Sequence, residues 1–564
     1  MMNIIKNEIK KLLHDVGVEG EIELSTPPQV DMGDLAFGCF GMAKKLGKNP
    51  VEVAKEIKQK FEIRNSKFEI LDRVEVFGPY VNFYLNVQEL AKIVLDSKKY
   101  KVESKNKRVI VEFAHPNTHK AFHIGHLRNI TTGETLVRIL EHVGYEVIRA
   151  NYQGDVGMHI AKSLWGIEQL KDEYEQVKNK SLHERIAFLG KAYAHGGQAY
   201  ENDKKVEEEV KDLNKKIYER DVSIQDVYKT TRAWSLEYFD HIYKRVGSRF
   251  DRFYFESEVY ESGKKIVHEF LEKGVFEESQ GAIIFPGSRY GLHDRVFITS
   301  QGFPGYEAKE MALGRLQFDE YHPDEILHVV GKEQTGYFQV VFKALEQTLP
   351  ESKDKEQHVI YGWVRLKEGK MSARTGKVVL GEWLIDEVKK QILDMMSDRE
   401  LSNKDEVAEK ISIAAVKYSF LKTGVANDIA FDFEESVSTT GDSGPYLLYI
   451  VARIKSILRK QETRNNFQII SNFQFPISNI EKKLLLQVAR FSEVALQAAE
   501  NMDPSKIAQY LFSLAQDFNN FYHDCPVLQA DGDVKSFRLS LIQTTEQVMT
   551  KGLYLLGIET VEEM

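Results

Sequence analysis

The chain has 564 residues, 42% hydrophobic and 29% charged, which is too much for one core and typical of a soluble globular protein of three or four domains. A net charge of −9 argues against a surface built for indiscriminate nucleic-acid binding, although local basic stripes are compatible with it. The only cysteines, Cys39 and Cys525, provide neither a disulfide framework nor a thiolate zinc site, and no apolar run reaches the roughly 18 residues of a membrane span.

The opening MMNIIKNEIKKLLHDVG places Ile5, Ile9, Leu12, Leu13 and Val16 on one helical face. Glu8 and Asp15 are out of place in a transit peptide, and a secretory signal needs an unbroken apolar centre, so a cytoplasmic protein without membrane attachment is expected. Residues 1–87 read as a small α+β unit: this helix, a Gly/Pro loop, a helix through NPVEVAKEIKQKF, and strands at RVEVF and YVNFYLN. The lysine-rich stretch 88–106 reads as a linker.

A second unit, 107–384, opens with the strand RVIVEF and alternates α and β signals. A charged, helix-prone insertion interrupts it at about 170–245. From about 385 helical periodicity takes over, giving a stem over 385–440 and a last unit over 441–564. After Asp503-Pro504, Ile507, Leu511, Leu514, Phe518 and Phe521 form one apolar stripe. The last third is therefore expected to be all-helical. Two basic stripes, KKYKVESKNKR at 98–108 and ARIKSILRKQETR at 452–464, read most simply as solvated faces.

The chemistry concentrates at HPNTHKAFHIGHLRN, residues 115–129. Val109, Ile110, Val111 and Phe113 make a buried parallel strand, and HPNTHKAF a loop. A helix starts near His123, its Leu136, Ile139, Leu140 and Val143 facing the sheet before Gly144 ends it. With the next strand, YEVIRAN, this is a right-handed β-α-β unit whose ligand crevice lies where a helix N-terminus favours anions. Gly125 lets a flat ring approach the backbone. His123 and His126 would offer N–H donors to developing phosphate charge, which gives the cluster of four histidines a phosphate role. Metal ligation by His123 and His126 would lack a neighbouring third ligand.

His-Ile-Gly-His at 123–126 resembles the signature of class I aminoacyl-tRNA synthetases, and Lys370-Met371-Ser372-Ala373-Arg374 resembles their second, mobile signature. The wider VEFAHPNTHKAFHIGHLRN is similar to arginyl-tRNA synthetases in particular. GDLAFGCFGMAKKLGKNP and FGPYVNFYLN resemble that family's extra N-terminal domain, and FNNFYHDCPVL and LYLLGIETVEEM its helical anticodon-binding domain. The resemblance implies an α/β fold: a Rossmann-like parallel-sheet catalytic domain, an N-terminal α+β domain contacting tRNA, and an all-helical C-terminal domain. It implies ligation of L-arginine to tRNA(Arg) through arginyl-adenylate, with ATP and Mg²⁺ entering as substrate, no zinc, and a monomer.

Carried over residue by residue, the resemblance puts His123, Gly125, His126, Lys370, Met371 and Ser372 on ATP, with Lys370 and Arg374 closing over its phosphates. Ala373 stands where the second lysine of the signature belongs, and Lys120 is expected to replace its charge, with Arg374 as helper. Arginine would be held by Glu112, His115, Asn117, His126, Glu256, Tyr306, Glu310 and Gln334, because a guanidinium offers five donors and is best met by paired oxygens. Glu310 stands where the family usually has aspartate. Tyr306 and Gln334 taken alone would equally suit ordinary buried hydrogen-bonding roles. In GPYLLYIVARI, Leu448 and Val451 replace the family's usual glutamine and histidine, leaving Tyr449 and Arg453 as RNA contacts or, for Tyr449, a core residue. Another class I synthetase and a non-catalytic synthetase-like RNA-binding protein are the alternatives. The missing zinc ligands and the arginyl-like stretch count against the first, and both intact signatures against the second.

Overall fold

The computed structural model describes residues 1–63, 69–96, 104–367, 379–398, 403–462 and 475–564. The first helix, Met2–Asp15, buries Ile5, Ile9 and Leu13 completely, as its spacing requires. It packs on the C-terminal helix Phe491–Glu500, while the helix Pro50–Ile63 lies against an antiparallel sheet of β1 (Leu24–Ser25), β2 (Leu35–Gly38), β3 (Leu71–Phe77) and β4 (Tyr80–Leu85), in the order β1-β2-β4-β3. Part of the expected linker is structured: Val87–Leu95 is a helix, its first turn capped by Asn86, which accepts from the N–H groups of Gln88 and Glu89. Its fully buried Leu90, Ala91 and Val94 explain why, since it packs on C-terminal helices rather than crossing solvent.

The central sheet contains β5 (Arg108–Glu112), β6 (Glu146–Gln153), β7 (Arg252–Phe255), β11 (Glu325–Gly331) and β12 (Glu356–Tyr361). All its pairings are parallel, in the order β12-β11-β5-β6-β7. The chain winds outward from β5 through β6 to β7, then returns to β5's other side with β11. The carboxyl ends of β5 and β11 therefore flank a topological switch point, where such sheets bind ligands. The helix Ile124–His142 follows β5 and lies close against it at Gly133, where a Cβ would come within 2.3 Å of Phe113 Cγ. Arg128 on this helix, 1% exposed, donates to the carbonyls of Trp363, Val425 and Asn427 at 2.8, 3.0 and 2.7 Å, fixing the helix to the far side of the domain.

The insertion is helical: Lys171–Val177, Leu182–Asn202, Lys204–Tyr218 and Val222–Arg245 pack around their own core, with Phe188 and Trp234 buried. A small antiparallel sheet of β8 (Glu277–Ser279), β9 (Ala282–Phe285) and β10 (Arg295–Ile298) follows β7. Among the described residues the expectation of helix alone after 385 fails at one place. β14 (Ile429–Phe431) pairs in parallel with β13 (Val364–Leu366), and three residues are too short to show a period. Beyond it the described residues form the helices Gly444–Glu462, Asn479–Ala489, Phe491–Glu500, Ser505–Asp524 and Gly532–Leu555, with the stripe from Ile507 to Phe521 fully buried. No helix among the described residues is long and apolar enough to cross a membrane.

Candidate active site

The loop after β5 bends sharply, with Ala114, His115 and His119 all at positive φ. It is fastened by Asn117, which bridges Gly154, and by the Thr118 N–H bonded to the Gly154 carbonyl at 2.9 Å. His123 then caps the helix: its Nδ1 accepts from the Gly125 and His126 N–H groups at 3.1 and 3.4 Å, and His126 Nδ1 accepts from the His123 N–H at 3.2 Å. The two rings stack 3.8 Å apart. The flat ring that Gly125 admits is thus His123's own, because a Cβ there would lie 2.9 Å from that imidazole. Both Nδ1 atoms accept, so each neutral ring carries its proton on Nε2. Burial, then the neighbouring positive charge of Lys120, lowers the His123 pKa, and burial lowers that of His126 well below the usual range. Both are N–H donors rather than cations at neutral pH.

The four histidines do not share one role. His119 is buried, with Nε2 2.7 Å from Thr231 Oγ1 and Nδ1 3.1 Å from Thr118 Oγ1, and burial pushes its pKa to about 3. It ties the loop to the insertion's last helix. His115 turns the other way, its Nδ1 3.7 Å from Glu112.

Beside this loop, at the switch point, opens a cavity of about 520 Å³. Its wall brings together His115, Asn117, Lys120, Glu256, Tyr306, Glu310 and Gln334, seven of the residues the sequence singles out, from segments more than 200 positions apart. Tyr306 is 60% exposed and Gln334 is exposed, so neither is a buried hydrogen-bonding residue of the core. Glu256 is buried and pairs with Lys309 at 2.8 Å; burial, only partly offset by Lys309, raises its pKa. Lys120 makes no ion pair among the described residues; burial lowers its pKa against the pull of Glu256. Its Nζ lies 5.4 Å from the Tyr193 ring centroid.

Glu112 and His126 are not on this wall. Glu112, fully buried, lies behind it, accepting from Gln317 at 2.6 Å. Sequence reading misses Tyr152, Arg295, Glu307, Glu333 and Tyr337, which also line the cavity, and His328 beneath it. Glu307 and Glu333 adjoin residues that were singled out. His328 left a signal too, as the one ionisable side chain inside the apolar run of EILHVVG. Glu112, Glu310 and His328 lie with ligand atoms within 4.8 Å of one another, close enough to share a cation. Lys370, Met371, Ser372, Ala373 and Arg374 lie outside the described residues.

In the C-terminal helices Leu448 and Val451 are core residues, fully buried. Tyr449 is half-buried and accepts from Arg453, whose guanidinium also stands 4.6 Å from the Tyr449 ring centroid and 3.3 Å from Asn519 Oδ1. Further along the basic stripe, Lys455 and Arg459 pair with Glu562 at 2.6 and 3.2 Å, so its charge is partly spent within the domain.

Three families match successive parts of the chain. Residues 2–85 match the arginyl tRNA synthetase N terminal domain, 89–433 the tRNA synthetases class I (R) catalytic domain, and 447–564 the DALR anticodon binding domain. An arginine–tRNA ligase of Treponema denticola is 33% identical, over 96% of this chain and 95% of its own length. One from Clostridium acetobutylicum is 32% identical over 100% and 99%. Among solved structures, the arginyl-tRNA synthetase of Thermus thermophilus superposes with a TM-score of 0.84 at 26% identity, covering 100% of both chains. With its switch-point cavity, its capped histidine pair and matches along its whole length, the chain belongs to the arginyl-tRNA synthetases, the arginine–tRNA ligases of class I.

Proposed function

We propose that the chain activates L-arginine with ATP to arginyl-adenylate and pyrophosphate, then transfers the arginyl group to the 2′-hydroxyl of the terminal adenosine of tRNA(Arg), releasing AMP. The observation that carries this reading is the acid-bearing cavity at the switch point, immediately beside a helix N-terminus whose two histidines present Nε2–H donors. A cation fits the first and a phosphate the second.

In this reading the guanidinium enters toward Glu310, with Glu256, Tyr306 and Gln334 along its path and His115 and Asn117 on the loop side. The arginine carboxylate then attacks the α-phosphorus and pyrophosphate leaves. His123 and His126 donate to the oxygens gaining charge, and Lys120 faces the phosphates from the loop. No residue bonds covalently to substrate, so rate comes from positioning and preorganised charge. ATP enters as its Mg²⁺ complex, and Lys370 and Arg374 close over the triphosphate by the family resemblance. The N-terminal unit (1–87) touches the tRNA corner, and the helical unit (441–564), with Tyr449 and Arg453, reads the anticodon loop by stacking and edge contacts. A cytoplasmic monomer completes the reading.

Glu310→Gln keeps the side chain's shape and removes its charge opposite the guanidinium. The KM for arginine should rise about tenfold to a hundredfold, while that for ATP stays nearly unchanged. Steady-state charging of tRNA(Arg), varying each substrate in turn, reads this directly. Equal damage to both constants would move Glu310 out of the arginine pocket.

A further inference from the structure

The rear of the cavity holds more acid than one guanidinium needs. Around His328 on β11 stand Glu112 from β5, Glu310 from the helix Tyr306–Tyr321 and Glu356 from β12. His328 Nδ1 is 3.4 Å from Glu112 and 3.9 Å from Glu310, and its Nε2 is 2.6 Å from Glu356. The side chains of Glu112, His328 and Glu356 are 0%, 3% and 4% exposed, and of the three acids only Glu310 reaches the cavity wall. Glu112 Oε1, Glu356 Oε1 and His328 Nδ1 are buried without a hydrogen-bond partner. Carboxylates gathered in so dry a place are costly unless cations match them.

We propose, on the arginine reading of this cavity, that His328 is a positioning residue for the guanidinium. Its imidazolium is shared by Glu112 and Glu356, leaving Glu310 as the acid without a cation, so that arginine binding expels a proton from Glu310 to solvent.

Among the described residues no lysine or arginine pairs with these acids: on the cavity wall Arg295 is engaged with Glu307 at 3.1 Å and Lys120 makes no ion pair, while Glu256 adds negative charge and the buried Tyr152 and Tyr337 stay neutral. His115, from the loop, and His358, from β12, are both kept neutral by burial. Gln317 gives Glu112 a neutral amide, the Phe338 and Phe342 rings cover His328 at 5.2 Å, and Lys309 is engaged with Glu256. Burial alone would discharge His328, yet Glu112 and Glu356 hold its pKa well above the usual value. Burial works against Glu112 as well, but the His328 charge carries it below the ordinary carboxylate range. Burial followed by the Glu112 charge drives Glu310 well above that range, which favours its protonated form when the cavity is free. A guanidinium favours the ionised carboxylate, so binding releases the proton and affinity rises with pH until Glu310 ionises unaided.

The test is calorimetric titration of L-arginine into the full-length protein, in buffers of different ionisation enthalpy, from pH 6 to 8. Wild type should release close to one proton and lose up to about tenfold in affinity per pH unit on acidification. Glu310→Gln should release none and show a flat profile. His328→Gln, which leaves the acids uncompensated, should release more protons than wild type and bind at least about tenfold more weakly. Glu356→Gln provides a second variant should His328→Gln not fold: it frees the imidazolium to serve Glu310, so the proton count should fall below the wild-type value. Arginine binding without proton release, or equal release from wild type and Glu310→Gln, would overturn the proposal. So would an unchanged count and pH profile in the His328 or Glu356 variant, whatever its affinity. No arginine binding by wild type at any pH would instead remove the arginine reading on which the proposal rests.

Discussion

His126→Ala should lose about a hundredfold to a thousandfold in amino-acid activation while binding tRNA(Arg) nearly as tightly as the unaltered chain. The expectation follows from the geometry of the helix start. His126 Nδ1 is occupied by the His123 N–H at 3.2 Å, which orients the ring and leaves Nε2–H as its only donor. With the pKa well below the usual range through burial, this donor is neutral across physiological pH, so its loss removes a directed hydrogen bond rather than a charge. A bond that strengthens as phosphorus gains a fifth ligand acts in the transition state, and its removal appears in kcat more than in substrate KM. Helix capping is also weakened, by about 1 kcal/mol, since one half of the reciprocal pair is lost. Single-turnover adenylate formation, measured beside equilibrium tRNA binding, separates the two effects. Unchanged turnover with weakened tRNA binding would assign His126 to the nucleic acid instead.

Lys120→Ala should cost about 3 kcal/mol of transition-state stabilisation, a loss of roughly two orders of magnitude in rate. Ala373 leaves the second signature one positive charge short. Lys120 stands three residues before His123, on the cavity wall and without an ion-pair partner among the described residues, so its charge is available to a ligand. In the same background, Ala373→Lys should restore much of the loss, because it returns the charge that the second signature lacks. Both variants need tRNA present, since the family resemblance implies that arginine is activated only on the tRNA complex. A solvated loop lysine would change little on removal. Near-normal activation by Lys120→Ala with the fold intact would end the compensation idea and leave Arg374 as the substitute.

The candidate site was legible in the sequence where its residues are continuous along the chain. The loop from His115 to His126 reads from a buried strand, turn residues and a helix start, and the structure places that helix at Ile124–His142, capped by His123. The far wall was less legible because it is assembled by the sheet order. Tyr152 on β6 and Tyr337, just after β11, become neighbours only once β5 lies between those two strands. Their local pattern is that of any core aromatic. His119 shows the opposite error: proximity in sequence suggested a shared phosphate role, whereas positive φ at His119 turns its ring toward Thr231 on the insertion. β14 escaped notice because three residues carry no period, and the helix Val87–Leu95 because its neighbours are more than 380 positions away in the chain.

The central claim, that this cavity selects arginine for activation beside the His123–His126 pair, is tested most directly by amino-acid-dependent exchange of pyrophosphate into ATP. Each of the twenty amino acids would be assayed with and without tRNA(Arg). Exchange should require arginine, require tRNA, and be absent with lysine, which cannot satisfy paired oxygens as a planar guanidinium does. Exchange driven by a different amino acid, or none with arginine and tRNA together, would contradict the account.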